Sequence, residues 1–337
     1  MAVLFVSFSP RPAVSDERPV RLAFGGDCAF TEDLSEAIEQ RGHEPFGDTV
    51  EVLRAADIAM VNLESVLAPK DAPSRPHRPG APILRGSPSV APALARAGID
   101  IVSVANNHAF DRGTEGLRAS LDTLRNAGVR SVGGGLSSDD ALRPEILEVR
   151  GVRVGFLAFT ETLNHRPDGS AAVAMIRKEA VGHIQALRSK VDVLVVSMHW
   201  GDQHTIDIAP RQVWWAHEAV EAGADVVVGH HPHILQGVEV YQGSAVLYSL
   251  GNFLWGRHRG KPAHAAIAEL DVRKKLPRVN SFRLLPVLSE APLGLPHVEK
   301  GRAARFIRGG FISQSFRFGT RMTEADGMLS VRVRSSE

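Results

Sequence analysis

The sequence predicts an α/β chain with mixed sheets flanked by helices, folded as one domain. Three observations carry this. Short apolar runs of strand length alternate with segments of helical spacing from Val20 to Pro286, as in βαβ units. Two pairs of runs instead flank tight turns, at Arg150-Gly151 and Gln242-Gly243, and read as hairpins. At 337 residues, 44% of them hydrophobic, the chain can bury a large core, yet no run reaches the roughly 20 apolar residues that span a bilayer.

The elements follow in order. The opening MAVLFVSF has no basic segment before it and reads as a short strand rather than a secretory leader, which implies a cytoplasmic protein. Residues 1–19 form a loose lead-in, residues 20–300 the domain and residues 301–337 an Arg-rich C-terminal extension. Val20–Gly25 is a strand that Gly-Gly-Asp ends in a tight loop. Helices over Asp33–Arg41 and Gly47–Ala56 and a strand over Ile58–Leu63 come next. Ala68–Pro88 is proline-rich and irregular, and Ser87 caps a helix running to Ala97 with Pro88 at its first position. Strands at Ile99–Ala105 and Ser131–Gly133 bracket a helix over Gly113–Ala127. After the first hairpin, helices over Met175–Ser189 and Pro210–Ala222 alternate with strands at Val191–Met198 and Val226–Val228. The second hairpin is followed by antiparallel strands at His264–Val272 and Phe282–Pro286, then by a final helix from Arg302 and a frayed tail.

Composition narrows the function. Lys+Arg 39 against Asp+Glu 38 argues against a nucleic-acid binder, which carries a basic excess. The single cysteine, Cys28, excludes a disulfide framework and any multi-thiolate metal site. Histidine, by contrast, is abundant, at 14 beside 2 tyrosines, and neutral imidazole is the commonest metal ligand.

Five apolar runs turn abruptly polar at their carboxyl ends, where α/β sheets bind ligands. They end in Asp27; in Asn62 and Glu64; in Asn106, Asn107, His108 and Asp111; in His199, Asp202 and His204; and in His230, His231 and His233. Each has a bland reading on its own. Gly-Gly-Asp is commonly a plain turn, Glu64 could cap a helix, and His199 could be a satisfied core histidine. The Gly-His-His-Pro-His run is the sharpest single signal, because three imidazoles in four residues suit a divalent metal. Taken together, two carboxylates, an amide and three imidazoles exceed a single tetrahedral zinc. They suit two ions bridged by one carboxylate, an arrangement that clamps the attacking and leaving oxygens at phosphorus. A nearby histidine that is not a ligand can protonate the leaving alkoxide.

The blocks FGGD (24–27), VNLES (61–65), SVANNHAFDRGTEGL (103–117), MHWGDQ (198–203), GHHPHILQGVEV (229–240) and LYSLGNFLW (247–255) resemble the bacterial poly-γ-glutamate capsule-synthesis (CapA-like) family. That family is a branch of the calcineurin-like metallophosphoesterase superfamily. The resemblance spans residues 20 to about 256. It implies a four-layer α/β/β/α sandwich of the metallophosphoesterase type with its metal site at the sheet edges. It also implies roles. Asp27 and His233 would bind a first ion, Glu64 would bridge, and Asn107, His199 and His231 would bind a second. His108 would be the general acid, oriented by Asp111. Asn106, His230 and Asn252 complete the set as candidate substrate-binding residues, with Asn252 in a loop that lines the site or fixes its backbone. One departure stands out: Asp27-Cys28-Ala29 lacks the histidine of the superfamily's Asp-x-His block, so the first site loses a ligand. Cys28 could be offered as a soft substitute, but it reads as a buried bystander, because adjacent side chains of an extended chain point apart.

The resemblance therefore implies a hydrolase with one or two divalent ions (Mn, Fe or Zn), acting on a phosphoester or related bond of an anionic small molecule or polymer. A non-catalytic accessory subunit in a biosynthetic complex and a metal-dependent amide or peptide tailoring enzyme are the alternatives. Arg75, His77, Arg78 and Arg85, and later Arg257, His258, Arg259 and Lys261, form either a basic rim for an anion or solvated loops. Trp214 and Trp215 read as packing residues.

Overall fold

The computed structural model describes residues 18–42, 44–72, 82–255, 263–290 and 293–333. Two large sheets lie face to face. In the larger, the strand order is Met322–Ala325, Met328–Arg332, Val279–Glu290, His264–Val272, Val20–Ala29, Ile58–Leu63, Ile101–Ser103 and Arg130–Val132. Asn252–Trp255 also pairs with Val20–Ala29, and Leu295–Val298 with Val279–Glu290. The smaller sheet runs Val238–Tyr241, Ser244–Leu247, Val226–His230, Val193–His199, Val152–Thr160 and Glu145–Val149.

Alternation along the strands builds the layers. Val20, Leu22 and Phe24 pack in one core with Val193, Val195, Val226 and Val228 of the opposing sheet. The intervening Leu194, Val196 and Val227 pack outward on the helices Lys178–Arg188 and Pro210–Glu221. Ala23 and Cys28 face outward from the larger sheet, among residues of the helices Glu32–Arg41, Thr49–Ala55, Val90–Arg96 and Gly113–Asn126. Both faces of these strands are covered, so their runs are apolar nearly throughout. The result is the expected α/β/β/α sandwich, with the Cys28 side chain buried on the helix side of its sheet.

Several boundaries move for identifiable reasons. The first strand does not stop at Gly25 but continues through a register shift to Ala29. A Cβ on Gly26 would lie 2.0 Å from the Gly251 carbonyl oxygen. The glycine pair thus lets this strand close on the neighbouring backbone, where Asp27 N–H donates to Gly251 O at 2.9 Å. Asn252 opens a strand parallel to it, with Asp27 opposite Asn252, and does not sit in a loop. The helix expected from Ser87 starts at Val90; the Ser87 hydroxyl donates to Glu39 and accepts the Ser89 N–H at 3.3 Å, holding the turn that precedes it. The C-terminal helix spans Arg302–Ser315 as expected, but no loose tail follows it among the described residues. Met328–Arg332 pairs with Val279–Glu290, and Leu329, Val331 and Val333 enter the core between the sheets. Trp214 is exposed, with its ring edge-on to Trp215. The opening MAVLFVSF, Arg75, His77, Arg78, Arg257, His258, Arg259 and Lys261 lie outside the described residues.

Candidate metal centre

The parallel strands of both sheets deliver their polar ends to one place. Asp27, Asn62, Glu64, Asn106, Asn107, His108, Asp111, His199, His230, His231, His233 and Asn252 are all buried. Asn62 is the hub: its amide nitrogen donates to Asp27 Oδ1 at 2.8 Å and to Glu64 Oε2 at 3.3 Å. Its carbonyl oxygen accepts from Asn106 at 3.2 Å.

Two ligand triads share Glu64. Ligand atoms of Asp27, Glu64 and His233 lie within 4.8 Å of one another, and so do those of Glu64, His199 and His231. Glu64 Oε1 sits 3.6 Å from His233 Nε2 and 3.7 Å from His199 Nε2, with no hydrogen-bond partner. His231 Nδ1 is likewise buried and without a hydrogen bond. Asn107 joins the second triad, its Oδ1 lying 2.9 Å from His199 Nε2. A buried carboxylate oxygen with no donor, facing imidazole nitrogens, is what a bound cation would satisfy. These residues fit a divalent metal.

The electrostatics agree. Burial, followed by the charges of Asp27 and Asp111, raises the Glu64 carboxyl well above its ordinary range. Burial pushes Asp27 in the same direction, but hydrogen bonds from His230 and His233 prevail and hold it well below. Burial and the neighbouring His231 lower His199, and burial with His233 lowers His231 to about 4. Both rings are therefore neutral, with lone pairs available as metal ligation requires. The chain is bent to place them: His231 and His233 take φ of 97° and 58°, a region that non-glycine residues occupy at a cost and mostly at functional sites.

The surrounding residues fix these groups. Asn252 Oδ1 lies 3.0 Å from His233 Nδ1 and orients that ring. Asn106 is committed to structure, donating to Leu63 O at 2.8 Å and accepting from His108 N–H at 3.1 Å. His230 Nδ1 lies 3.2 Å from Asp27 Oδ1, behind the carboxylate. His108 Nδ1 is 2.7 Å from Asp111 Oδ2. Asp202, exposed, makes a fork with Arg211, which also binds Glu161. His204 is exposed beside His233, with ring centroids 5.8 Å apart. Arg85 turns away from any rim role, buried against Glu32 and the Ala68 carbonyl.

Sequence reasoning left two contributors without a role. Asn62 was visible at its strand end, but nothing marked it as the hub. Asn164 accepts from Asn107 Nδ2 at 3.2 Å and places its own amide 3.4 Å from His108 Nε2. It lies in a polar loop with no motif, so only the fold brings it in.

Polar side chains gathered at the carboxyl ends of strands in an α/β/β/α sandwich define a candidate metal-binding α/β protein. The chain belongs to the bacterial capsule synthesis protein PGA_cap family, whose model matches residues 21–257. It is 27% identical over 289 residues to the PGA biosynthesis protein CapA of Bacillus subtilis (strain 168), covering 83% of this chain and 74% of that one. It is 33% identical over 196 residues to the capsule biosynthesis protein CapA of Bacillus anthracis, covering 54% of this chain and 46% of that relative, just under half its length. A probable polyglutamine synthesis accessory protein of Mycobacterium tuberculosis (strain ATCC 25618 / H37Rv) is 29% identical over 316 residues, 85% of this chain and 80% of that one. A 5'-nucleotidase crystal structure from Candida albicans SC5314 superposes with a TM-score of 0.46 and 13% identity over 80% of this chain and 52% of that one, a likeness that adds nothing to the family assignment.

Proposed function

We propose that this chain is a metal-dependent hydrolase that cleaves a phosphoester or related bond of an anionic small molecule or polymer in capsule or poly-γ-glutamate metabolism. The observation that carries this reading is the position of Glu64, whose free oxygen faces a histidine of each triad. Asp27, Glu64 and His233 would hold one ion, and Glu64, Asn107, His199 and His231 another. Oxygen and imidazole donors without thiolate suit Mn, Fe or Zn. Bound ions would supply Lewis-acid charge and an acidified water.

The chain's own residues do the remaining work. Asp111 Oδ2, 2.7 Å from His108 Nδ1, orients the ring so that its Nε2 is the nitrogen left to give a proton to a leaving oxygen. Asn164 lies against that ring and holds Asn107, coupling acid and ligand through one loop. Burial of the whole set excludes bulk water from the charges.

The test is elemental analysis of untagged protein, followed by a panel of phosphomonoesters and phosphodiesters with the metal found. One to two equivalents, lost in His231→Ala and His233→Ala, together with turnover, are expected. No metal after reconstitution would sink the reading.

A second reading, a non-catalytic accessory subunit, has specific support. Cys28-Ala29 stands where the resembling block carries a histidine, and the Mycobacterium tuberculosis relative is named an accessory protein. A filled metal centre with no hydrolysis across the panel would favour it.

A further inference from the structure

We infer that the outward face of the helix Arg302–Ser315, with Phe316 beyond it, is a docking surface for an anionic membrane. At about 100° per residue, Arg302, Arg305, Phe306, Gly309, Ile312, Ser313 and Phe316 fall within about 120° of arc, and all are exposed. Ala304, Ile307, Phe311 and Ser315 fill the opposite side and are buried. One apolar side therefore anchors the helix, yet Phe306, Ile312 and Phe316 remain 61%, 45% and 82% exposed on the other. A helix apolar on both sides normally has a partner on each.

Charge identifies the partner. From Lys300 to Thr323 the chain carries six basic residues (Lys300, Arg302, Arg305, Arg308, Arg317 and Arg321) and no acid. Arg308 is turned inward to Glu324, and Arg302 lies over the Phe306 ring, 5.6 Å from its centroid. Among the described residues Arg302, Arg305 and Arg321 meet no acid, and Arg317 lies over Phe318 and donates to the Ile208 carbonyl. Exposed phenylalanines beside such cations match an anionic lipid interface, where apolar rings enter the acyl boundary and cations meet the headgroups. The helix itself has 14 residues, fewer than the roughly 20 that span a bilayer, so the contact proposed for it lies at the surface of the membrane.

A groove of about 350 Å³ runs between Phe306, Gly310 and Gln314 on the helix and Ile206 and Ile234 opposite. Ile234 follows His233, and Ile206 lies two residues after His204. Phe306 and Ser313 of this face thus border the chain segments that follow His204 and His233.

The experiment is flotation of the full chain with vesicles of phosphatidylcholine alone and of phosphatidylcholine and phosphatidylglycerol in equal parts. Binding to the mixed vesicles should exceed binding to the neutral ones by about tenfold and weaken with salt. Phe306→Ser with Phe316→Ser should lower it about tenfold. The triple variant Arg302→Gln, Arg305→Gln, Arg317→Gln should abolish the difference between vesicles. Metal content equal to wild type shows that each variant is folded. No vesicle binding, or binding that ignores both sets of substitutions, would overturn the inference. So would a dimer by light scattering that the phenylalanine variant dissolves while vesicles bind nothing, which would make this face an interface between two copies.

Discussion

One carboxylate oxygen of Asp111 lies 2.7 Å from His108 Nδ1 and also accepts the Leu84 backbone N–H at 2.7 Å. The same atom thus orients the proposed acid and anchors the chain where it returns to the sheet. The two substitutions should therefore differ. His108→Ala is expected to keep its metal and its fold while turnover falls by about 10²–10⁴. Asp111→Ala leaves a buried N–H without an acceptor and should in addition lose about 1–3 kcal/mol of stability. Denaturant titration beside kinetics separates them, and equal stability losses would break the assignment.

Glu64→Gln should act in opposite directions with and without metal. Asn62 holds Asp27 and Glu64 through one amide, so in chelator two buried carboxyl groups would be kept together. Removing one acid relieves that crowding. In chelator the variant's thermal midpoint should equal or exceed that of wild type. The rise on adding metal should shrink by more than half, because both triads lose their shared ligand. A variant that gains as much from metal as wild type would show that Glu64 is no ligand.

The sequence made much of this site legible, and the reason is physical. Strands buried on both faces are apolar until the chain leaves the sheet, so Asp27, Glu64, Asn107, His199 and His231 stand out at the breaks. What it hid depends on contacts between distant segments. Asn164 reaches Asn107 from a loop without a pattern. Gly25-Gly26 has the composition of a turn, and only the nearby Gly251 backbone explains why it is strand. Leu329, Val331 and Val333 alternate too briefly, among arginines, to announce a sheet strand.

The two sheets are also tied at the end away from the metal centre. Arg150, in the hairpin turn of the smaller sheet, makes a fork with both oxygens of Asp57, which precedes a strand of the larger one. Arg150 also donates to the Pro19 carbonyl. The hydrogen bond from Arg150 outweighs burial and lowers the Asp57 pKa below its ordinary value. A depressed folded value gives stability that is full above the unfolded value near 3.9 and is lost as pH falls through the folded one. Asp57→Asn should therefore cost about 1 kcal/mol at neutral pH, with the difference vanishing in strong acid. Denaturation at a series of pH values reads it directly, and a difference that does not change with pH would refute the pairing.

Two glycines should respond to alanine with opposite signs. At Gly26 the added methyl would lie 2.0 Å from the Gly251 carbonyl oxygen and 2.9 Å from that of Leu250. Both are backbone atoms, so no rotamer change relieves the clash. The strands carrying Asp27 and Asn252 must part, and stability should fall by about 3 kcal/mol. Metal should be lost with it, since Asp27 and the partner of His233 sit on those strands. Gly182 lies exposed inside the helix Lys178–Arg188, with nothing within 4 Å of the added carbon. There alanine removes only the flexibility of the unfolded chain and should stabilise by about 0.5–1 kcal/mol with metal content unchanged. If both variants were destabilised alike with metal retained, the close approach at Gly26 would not be what positions Asp27.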